Sequence, residues 1–405
     1  MRGDQPRARG RLTARGVRYW GITTGALCLL ALIATSDRAD APAPLPPNRW
    51  ELSSAPTARI GDEPFQEVAF SQVTTLLRAS DTVIAAHDRA GVHIRMISLS
   101  GHQVGRVGGR PSPEREPGVG EFEHIAWAAV SHDTLFFYDE ILRRLTTASP
   151  EGDVYGARQW TTRASGLARG VPVGRLANGQ WVWVERSSRP FAHESRASIV
   201  RDTLEVMRAA AGDSAPVKVA SVPGPAIWRA QSVGPGDSTA QRFGPRTLIA
   251  VRGDEIWIGD NAGNVLVALD SNGRERRRIV LPMTSPKLEE AVIAEARNEE
   301  LRWTPDRRGT ALLTELYQPD RLPEHPPNFT SLLVSADSLL WVELWSPRRR
   351  SARHYLVYGR TGEFLAALDT PEGFRITDAG ADWVLGVHVT PTDIEGVRMY
   401  AVRRR

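Results

Sequence analysis

The sequence predicts an all-β chain built from one repeated four-stranded antiparallel unit, a six-bladed β-propeller, and three observations carry that prediction. Six short stretches share a turn residue, an alternating apolar run and a polar side chain six positions on. Most are followed by a second β-type run that stops at a Gly-containing turn. The stretches recur at spacings of several tens of residues along a chain of 405 residues.

The first runs are Asp81–His87 (DTVIAAH), Asp133–Asp139 (DTLFFYD), Gly179–Glu185 (GQWVWVE), Asp254–Asp260 (DEIWIGD), Asp337–Glu343 (DSLLWVE) and Asp382–His388 (DWVLGVH). Alternation with a period of two reads as a strand entered from a tight turn. The second runs are HIRMISLSG, RRLTTASPEG, NVLVALDSNG and HYLVYGRTG, with a longer, irregular case near Thr203–Gly212. Their terminal glycines supply the positive φ that a short hairpin needs. A further strand follows, as in HQVGRVG, RERRRIVLP and EFLAALD, and one precedes each turn, as in VAFSQVTTLL, IAWAAV, RTLIAV and TSLLV. Four strands repeated six times are the signature of a propeller. The last unit ends at VRMYAVRRR without a fourth strand, and WELSSAPTARIG precedes any complete unit. The expectation is that this N-terminal strand pairs with the last one and closes the ring.

The glycine-rich stretch between Arg106 and Ile125, RVGGRPSPEREPGVGEFEHI, is no phosphate loop. No Lys follows Gly118 or Gly120, as a P-loop requires, and Glu123 stands where a dinucleotide fingerprint needs its third glycine. It reads instead as a crossing from an outer strand to the next inner one. GRVG followed by Phe122-x-x-Ile125 parallels ARIG followed by Phe65-x-x-Val68, with GRPSPEREP as an insertion. Phe329 before Leu332 and Phe374 before Ile376 are weaker copies.

With the G-V-G-E-F crossing at Gly118–Phe122, the D-T-[VL] strand starts, PPNFTSLLVSADSLLWVE and the ending DWVLGVHVTPTDIEGVRMYAV, the chain resembles exported bacterial six-bladed β-propeller proteins related in form to NHL-repeat propellers. The resemblance covers most of the chain and departs from the family pattern in residues 186–250. It implies a fold and an exported protein; most members of the family have no assigned activity, so it implies no chemistry.

Residues 1–41 read as a leader plus short linker, with the propeller in 42–405. Arg2, Arg7, Arg9, Arg11, Arg15 and Arg18 precede an apolar run from Trp20 to Ala34 that is short for a membrane span. Two outcomes stay open: a cleaved signal peptide, best cut near Ser36, giving a periplasmic or extracellular protein, or an uncleaved anchor through residues 20–34. The six arginines and one aspartate of residues 1–36 account for more than the whole chain's formal net charge of +4 and leave the remainder at −1. Nothing in that balance favours nucleic acid. The only cysteine, Cys28, lies in the apolar run, so beyond the leader there is neither disulfide nor thiolate metal site. The expected protein is a monomer stabilised by its packed core.

Insertions fall unequally. Turns of one set are tight, whereas the other set carries 109–120, 186–197, 224–246, 282–328 and 345–353. Their confinement to one face predicts a binding face that meets a protein, peptide or small-molecule ligand, marked by Arg115, Glu121, Arg189, His193, Trp303, Arg348 and Arg349. The largest insertion, with its helical part at about 285–320, predicts a helix over 287–301 with a partial stripe of Leu288, Val292, Glu295 and Glu299, bounded by Pro282, Pro286 and Pro305, lying over the channel mouth or a blade edge.

Catalytic motifs are missing: His193-Glu194 lacks the second His of H-E-x-x-H, G-x-S-x-G is absent, and Asp270-x-Asn272-Gly273 is a hairpin turn. No cofactor is predicted. The alternative to a binding module is an enzyme at the channel mouth, a metal-assisted lactonase or hydrolase or a lyase. A divalent metal would then draw on the strand ends His87, Asp139, Glu185, Asp260, Glu343 and His388. The bland reading of those ends, turn capping, is preferred. Trp181, Trp183, Trp257 and Trp341 are expected to pack between strands.

Overall fold

The computed structural model describes residues 48–404 apart from 62–66, 89–90, 113, 161–169, 187–198, 210–214, 230–237, 305 and 349. The leader expected at 1–41 lies outside the described residues.

Two short strands come first, β1 (Arg49–Leu52) and β2 (Ala58–Ile60). Antiparallel meanders follow in chain order. The first is β3 (Val73–Arg78), β4 (Val83–Asp88), β5 (His93–Ser98) and β6 (Gln103–Gly108). The second is β7 (Ile125–Ser131), β8 (Thr134–Asp139), β9 (Arg144–Ala148) and β10 (Val154–Gln159). The third has five strands, β11 (Val171–Arg175), β12 (Trp181–Arg186), β13 (Ile199–Ala209), β14 (Val217–Arg229) and β15 (Ser238–Ala240). The fourth is β16 (Thr247–Arg252), β17 (Glu255–Asp260), β18 (Val265–Leu269) and β19 (Glu275–Val280). Then come β20 (Phe329–Val334), β21 (Leu340–Leu344), β22 (His354–Tyr358) and β23 (Phe364–Asp369), and finally β24 (Phe374–Ala379), β25 (Trp383–Val389) and β26 (Glu395–Arg403).

The last two meanders share one nine-stranded sheet through β1, which runs parallel to β23 at Arg49↔Ala367 and antiparallel to β26 at Leu52↔Val402. β2 continues along β26 from Ala58↔Met399 to Ile60↔Val397. WELSSAPTARIG is thus the strand partner that the C-terminal meander lacks. The irregular third unit is a long hairpin: β13 has 11 residues and β14 has 13, with two register shifts between them. Half-exposed strands of that length lose the clean alternation seen elsewhere.

The apolar side chains collect in slabs between consecutive meanders. Phe122, Phe137, Ile94 and Val107 fill the slab between the first and second. Phe136, Tyr138, Trp160, Trp181 and Trp183 fill the next, with edge-to-face rings 5.2–5.9 Å apart. Trp257, Leu266, Phe329 and Val342 join the fourth to the fifth, and Trp341, Tyr355, Phe374 and Tyr400 the fifth to the sixth. Ile60, Ile84, Leu385 and Val397 join the sixth back to the first. First strands likewise neighbour one another in order, β3 with β7, β7 with β11, β11 with β16, β16 with β20, β20 with β24, and β24 with β3.

Alternation of direction gives each meander two ends. At the end where the first strand finishes, the turn end, connections between strands span 2 to 7 residues. At the end where the first strand starts, the loop end, they reach 48 residues, at 281–328. Bonds between meanders join like ends. Ala177 N donates to Gly253 O and Ala336 N to Ala379 O at turn ends, while Asn328 N donates to Asn261 O and Val73 N to Glu395 Oε2 at loop ends.

The longest connection holds two helices, α1 (Glu290–Arg302) and α2 (Arg307–Leu316). The first is the helix expected over 287–301; the second lies beyond Pro305, outside that expectation. Asp306 caps α2 by accepting from Gly309 N at 2.6 Å. Leu313 and Leu316 of α2, with Tyr317, pack on the fully buried Trp228 of β14. From α1, Ile293, Ala296 and Leu301 face that cluster, so its packed face is rotated from the expected Leu288, Val292, Glu295, Glu299 stripe. Leu288 is buried just before the helix begins. The insertion seats on the third meander's fourth strand, the blade-edge alternative.

Candidate functional site

The framework of the loop end is built from backbone N–H groups pinned by side chains. Asp139, fully buried, ends β8. Its Oδ2 accepts from Glu123 N (2.6 Å) and His124 N (3.2 Å), and its Oδ1 from Ile141 N and Leu142 N (both 2.9 Å). Asp88 repeats this in the first meander, accepting from Ser71 N at 2.8 Å and Gln72 N at 3.1 Å. In the fourth, Asn261 Oδ1 accepts from Arg246 N at 2.6 Å and Nδ2 donates to Phe329 O at 2.9 Å. In these three units one carboxylate or amide thus fixes where the unit's own first strand begins.

These registers separate the six polar strand ends. Asp139, Asp260 and His388 stand opposite the residues that start their first strands, Ile125, Thr247 and Phe374. His87 and Glu343 lie one pair further in, opposite Thr75 and Ser331, and Glu185 lies beyond the Val171↔Val184 pair. Asp88 and Asn261, not His87 and Asp260, take the place of Asp139 in their units, and neighbouring residues of a strand point to opposite faces, so the six do not share one ring. Their partners differ: His87 Nδ1 is 2.7 Å from Thr74 Oγ1, Glu185 accepts from Trp183 Nε1 at 2.7 Å, and Asp260 takes both guanidinium arms of Arg201, from the preceding meander, at 2.9 Å. His388 is buried. Among the described residues no group of three or more His, Cys, Asp or Glu side chains is arranged to hold a metal ion.

The glycine-rich connection is held as a unit. Arg144 donates to Pro117 O (3.0 Å), Gly118 O (2.6 Å) and Glu121 O. Arg115 pairs with Glu121, whose carboxylate also accepts from Gly118 N at 2.6 Å. The Arg115 bond, followed by that of Gly118 N, holds the Glu121 carboxyl below its ordinary range. Gly108, at φ 102°, turns the chain under the Phe122 ring; a Cβ there would stand 2.6 Å from Phe122 Cδ2. Gly61, at φ 83°, stands in the same relation to Phe70, at 2.5 Å. The copy of Phe122-x-x-Ile125 is therefore Phe70-x-x-Val73, and the parallel expected at Phe65-x-x-Val68 is five residues out of register.

Of the residues marking the expected binding face, Arg115 and Glu121 bind each other. Arg348 pairs with Glu295 of α1 at 3.2 Å across an exposed gap, and Trp303, 70% exposed, ends α1. Arg189, His193 and Arg349 lie outside the described residues. Arg350, which the sequence reading left unmarked, ties the 345–353 connection to 390–394 through Asp393 and Pro391 O.

A cluster that no sequence spacing reveals lies where the fourth, fifth and sixth units meet. Glu343, buried, stands on β21 opposite Tyr355 of β22. Arg353 Nη1 approaches its Oε1 at 3.8 Å. Arg375 follows Phe374 at the start of β24, and the next backbone N–H, Ile376, donates to Tyr355 Oη at 3.0 Å. Arg246, just before β16, donates from Nη2 to Thr330 O at 3.1 Å. Burial pushes the Glu343 carboxyl up, against the opposing pull of Arg353, Arg375, the Thr330 hydroxyl and Arg246. Burial pushes the Arg246 guanidinium down, Glu343 opposing and Arg375 reinforcing.

No protein-family model and no curated protein matches the chain. Solved structures do. A member of the DUF4221 family from Bacteroides vulgatus is 8% identical, with 88% of this chain and 99% of that one covered and a TM-score of 0.52. A protein of Bacteroides fragilis described as exported is 11% identical, over 88% and 95%, with a TM-score of 0.46. Regucalcin, a calcium-binding protein from Agrobacterium tumefaciens, is 10% identical, over 88% and 97%, at 0.40. At such identities the likeness concerns the fold alone: an all-β chain of four-stranded antiparallel sheets, of the propeller type.

Proposed function

We propose that the chain is an exported six-bladed β-propeller, closed by β1 and β2, that acts as a binding module and meets its ligand at the loop end. Cyclic neighbouring of the first strands and the slab joining the sixth unit to the first support the ring. One observation carries the functional reading: connections at the turn end never exceed 7 residues, while those at the loop end reach 48 and are cross-braced. Neutral drift would lengthen both ends. Bracing by Arg144, by the Arg115–Glu121 pair and by the Arg350–Asp393 pair pre-organises these loops and reduces the ordering cost of binding.

The test exploits the cysteine count. With Cys28 replaced, single cysteines at Val119, Trp303 or Ile394 (loop end) and at Ser100 or Asn272 (turn end) accept a bulky maleimide polymer. Blocking at the loop end should abolish capture of the cognate component from envelope extract, and blocking at the turn end should spare it. Equal loss at both ends would sink the reading.

A further inference from the structure

Two partly buried arginines outside the Glu343 cluster spend most of their donors on the protein itself. Arg144 gives its guanidinium to three carbonyls, and Arg201 spends both arms on Asp260 and its Nε on Gly224 O. The Glu343 cluster differs. Arg353 approaches the Glu343 carboxylate at 3.8 Å, and the guanidinium groups of Arg246 and Arg375 act on it at longer range. Among the described residues, neither Arg246 nor Arg375 has a carboxylate within 4 Å, and the one side-chain hydrogen bond of Arg246 goes to a backbone carbonyl.

Backbone contacts fix the stretches of chain that carry these groups. Arg246 N is fixed by Asn261, the backbone beside Arg375 is tied to Tyr355 by the Ile376 bond, and Arg353 N is fixed by Thr370 Oγ1 at 2.9 Å. Tyr355 and Glu343 are cross-strand partners, so the loop-end starts of β16 and β24 flank the same point of β21. Glu343 offsets one positive charge and leaves two. A guanidinium offers donors in a planar fork that fits oxyanions, and partial desolvation strengthens such a bond.

We infer that Arg246 and Arg375, backed by Arg353, form an oxyanion site at the loop end that takes the carboxylate, phosphate or sulfate group of a small ligand. Glu343 is its counter-charge, a positioning residue that sets how tightly the anion is held. The inference rests on the loop end being the binding end and names the ligand chemistry it selects.

Sulfate is the first probe, titrated into the purified protein at constant ionic strength with chloride as balance and followed by calorimetry. Acetate as a second arm separates tetrahedral from planar oxyanions. Wild type should bind at least one of them saturably. Arg375→Ala, at an exposed side chain, and Arg246→Ala should each weaken that binding by about tenfold or more, the scale of a lost charge-assisted bond. Glu343→Gln should tighten it, which a merely structural role would not do. Arg360→Ala, at the turn end, should leave it unchanged. If Arg246→Ala fails to fold, Arg375→Ala decides alone. Absence of saturable binding, or binding unchanged by Arg375→Ala, overturns the inference. Should that happen while loop-end blocking still abolishes capture, the oxyanion site fails and the binding face stands; loss of the blocking asymmetry removes the face itself.

Discussion

Removing the carboxylate of Asp139 should be among the most damaging single changes in this protein. The side chain is fully buried and accepts four backbone N–H groups, two at the start of β7 and two in the turn after β8. Alanine leaves all four without an acceptor. A buried donor stripped of its partner costs about 1–3 kcal/mol, so with half of the four regaining water the loss is roughly 2–6 kcal/mol. Asparagine keeps one oxygen and turns an amide N–H₂ toward the other pair of donors, so it should recover only part of that, roughly a third to a half. Against a stability of about 5–15 kcal/mol, the alanine variant would sit near the edge of folding. Urea unfolding followed by tryptophan fluorescence measures it, with Asp133→Ala in the adjacent exposed turn as the control. An Asp139→Ala protein within about 0.5 kcal/mol of wild type would refute the view that this residue fixes where the second unit begins.

Gly108→Ala forces a side chain into a left-handed position against the Phe122 ring and should lower stability by about 1–3 kcal/mol, read as a drop in Tm. Trp228→Ala removes the surface on which Leu313, Leu316 and Tyr317 pack; a cost of about 3–5 kcal/mol is expected, with limited proteolysis cutting between α1 and α2 before the sheets open. Burial lowers the pKa of His87 from its ordinary 6.5, so the unfolded chain takes up a proton first as pH falls. Its stabilising contribution is therefore full above about pH 6.5 and is lost as pH drops toward the lowered folded value, and His87→Gln should flatten stability across that window. For Asp378 burial raises the pKa, so wild type should lose stability relative to Asp378→Asn as pH rises from about 4 toward the folded value.

The repeat was legible because its signals are local. Alternating runs such as TLFFYD and glycines such as Gly152 and Gly273, both at positive φ, act within a few residues of themselves. The register of the polar strand ends was not legible, because counting from the turn fails when turns differ. Asp81 sits inside a four-residue connection at 79–82, Asp133 in a two-residue one at 132–133, so six positions on lead to different pairs, and Asp88 rather than His87 matches Asp139. The Phe65 parallel failed because the decisive contact, ring on glycine, is tertiary; Phe70 makes it across an intervening stretch. The arginine cluster was hidden for a similar reason. Residues 246, 343, 353 and 375 come from three units, and only the packing of β16, β21 and β24 joins them. The second helix went unread because Pro305 looked like a stop, while Asp306 behind it starts a new capped turn.

The binding end is tested most directly by photo-crosslinking in the intact cell envelope. A photoreactive residue at Ile394 or Val119 should yield a discrete adduct, and the same residue at Asn272 or Ser100 should yield none. Adducts of equal strength from both ends, or from the turn end alone, would contradict the account.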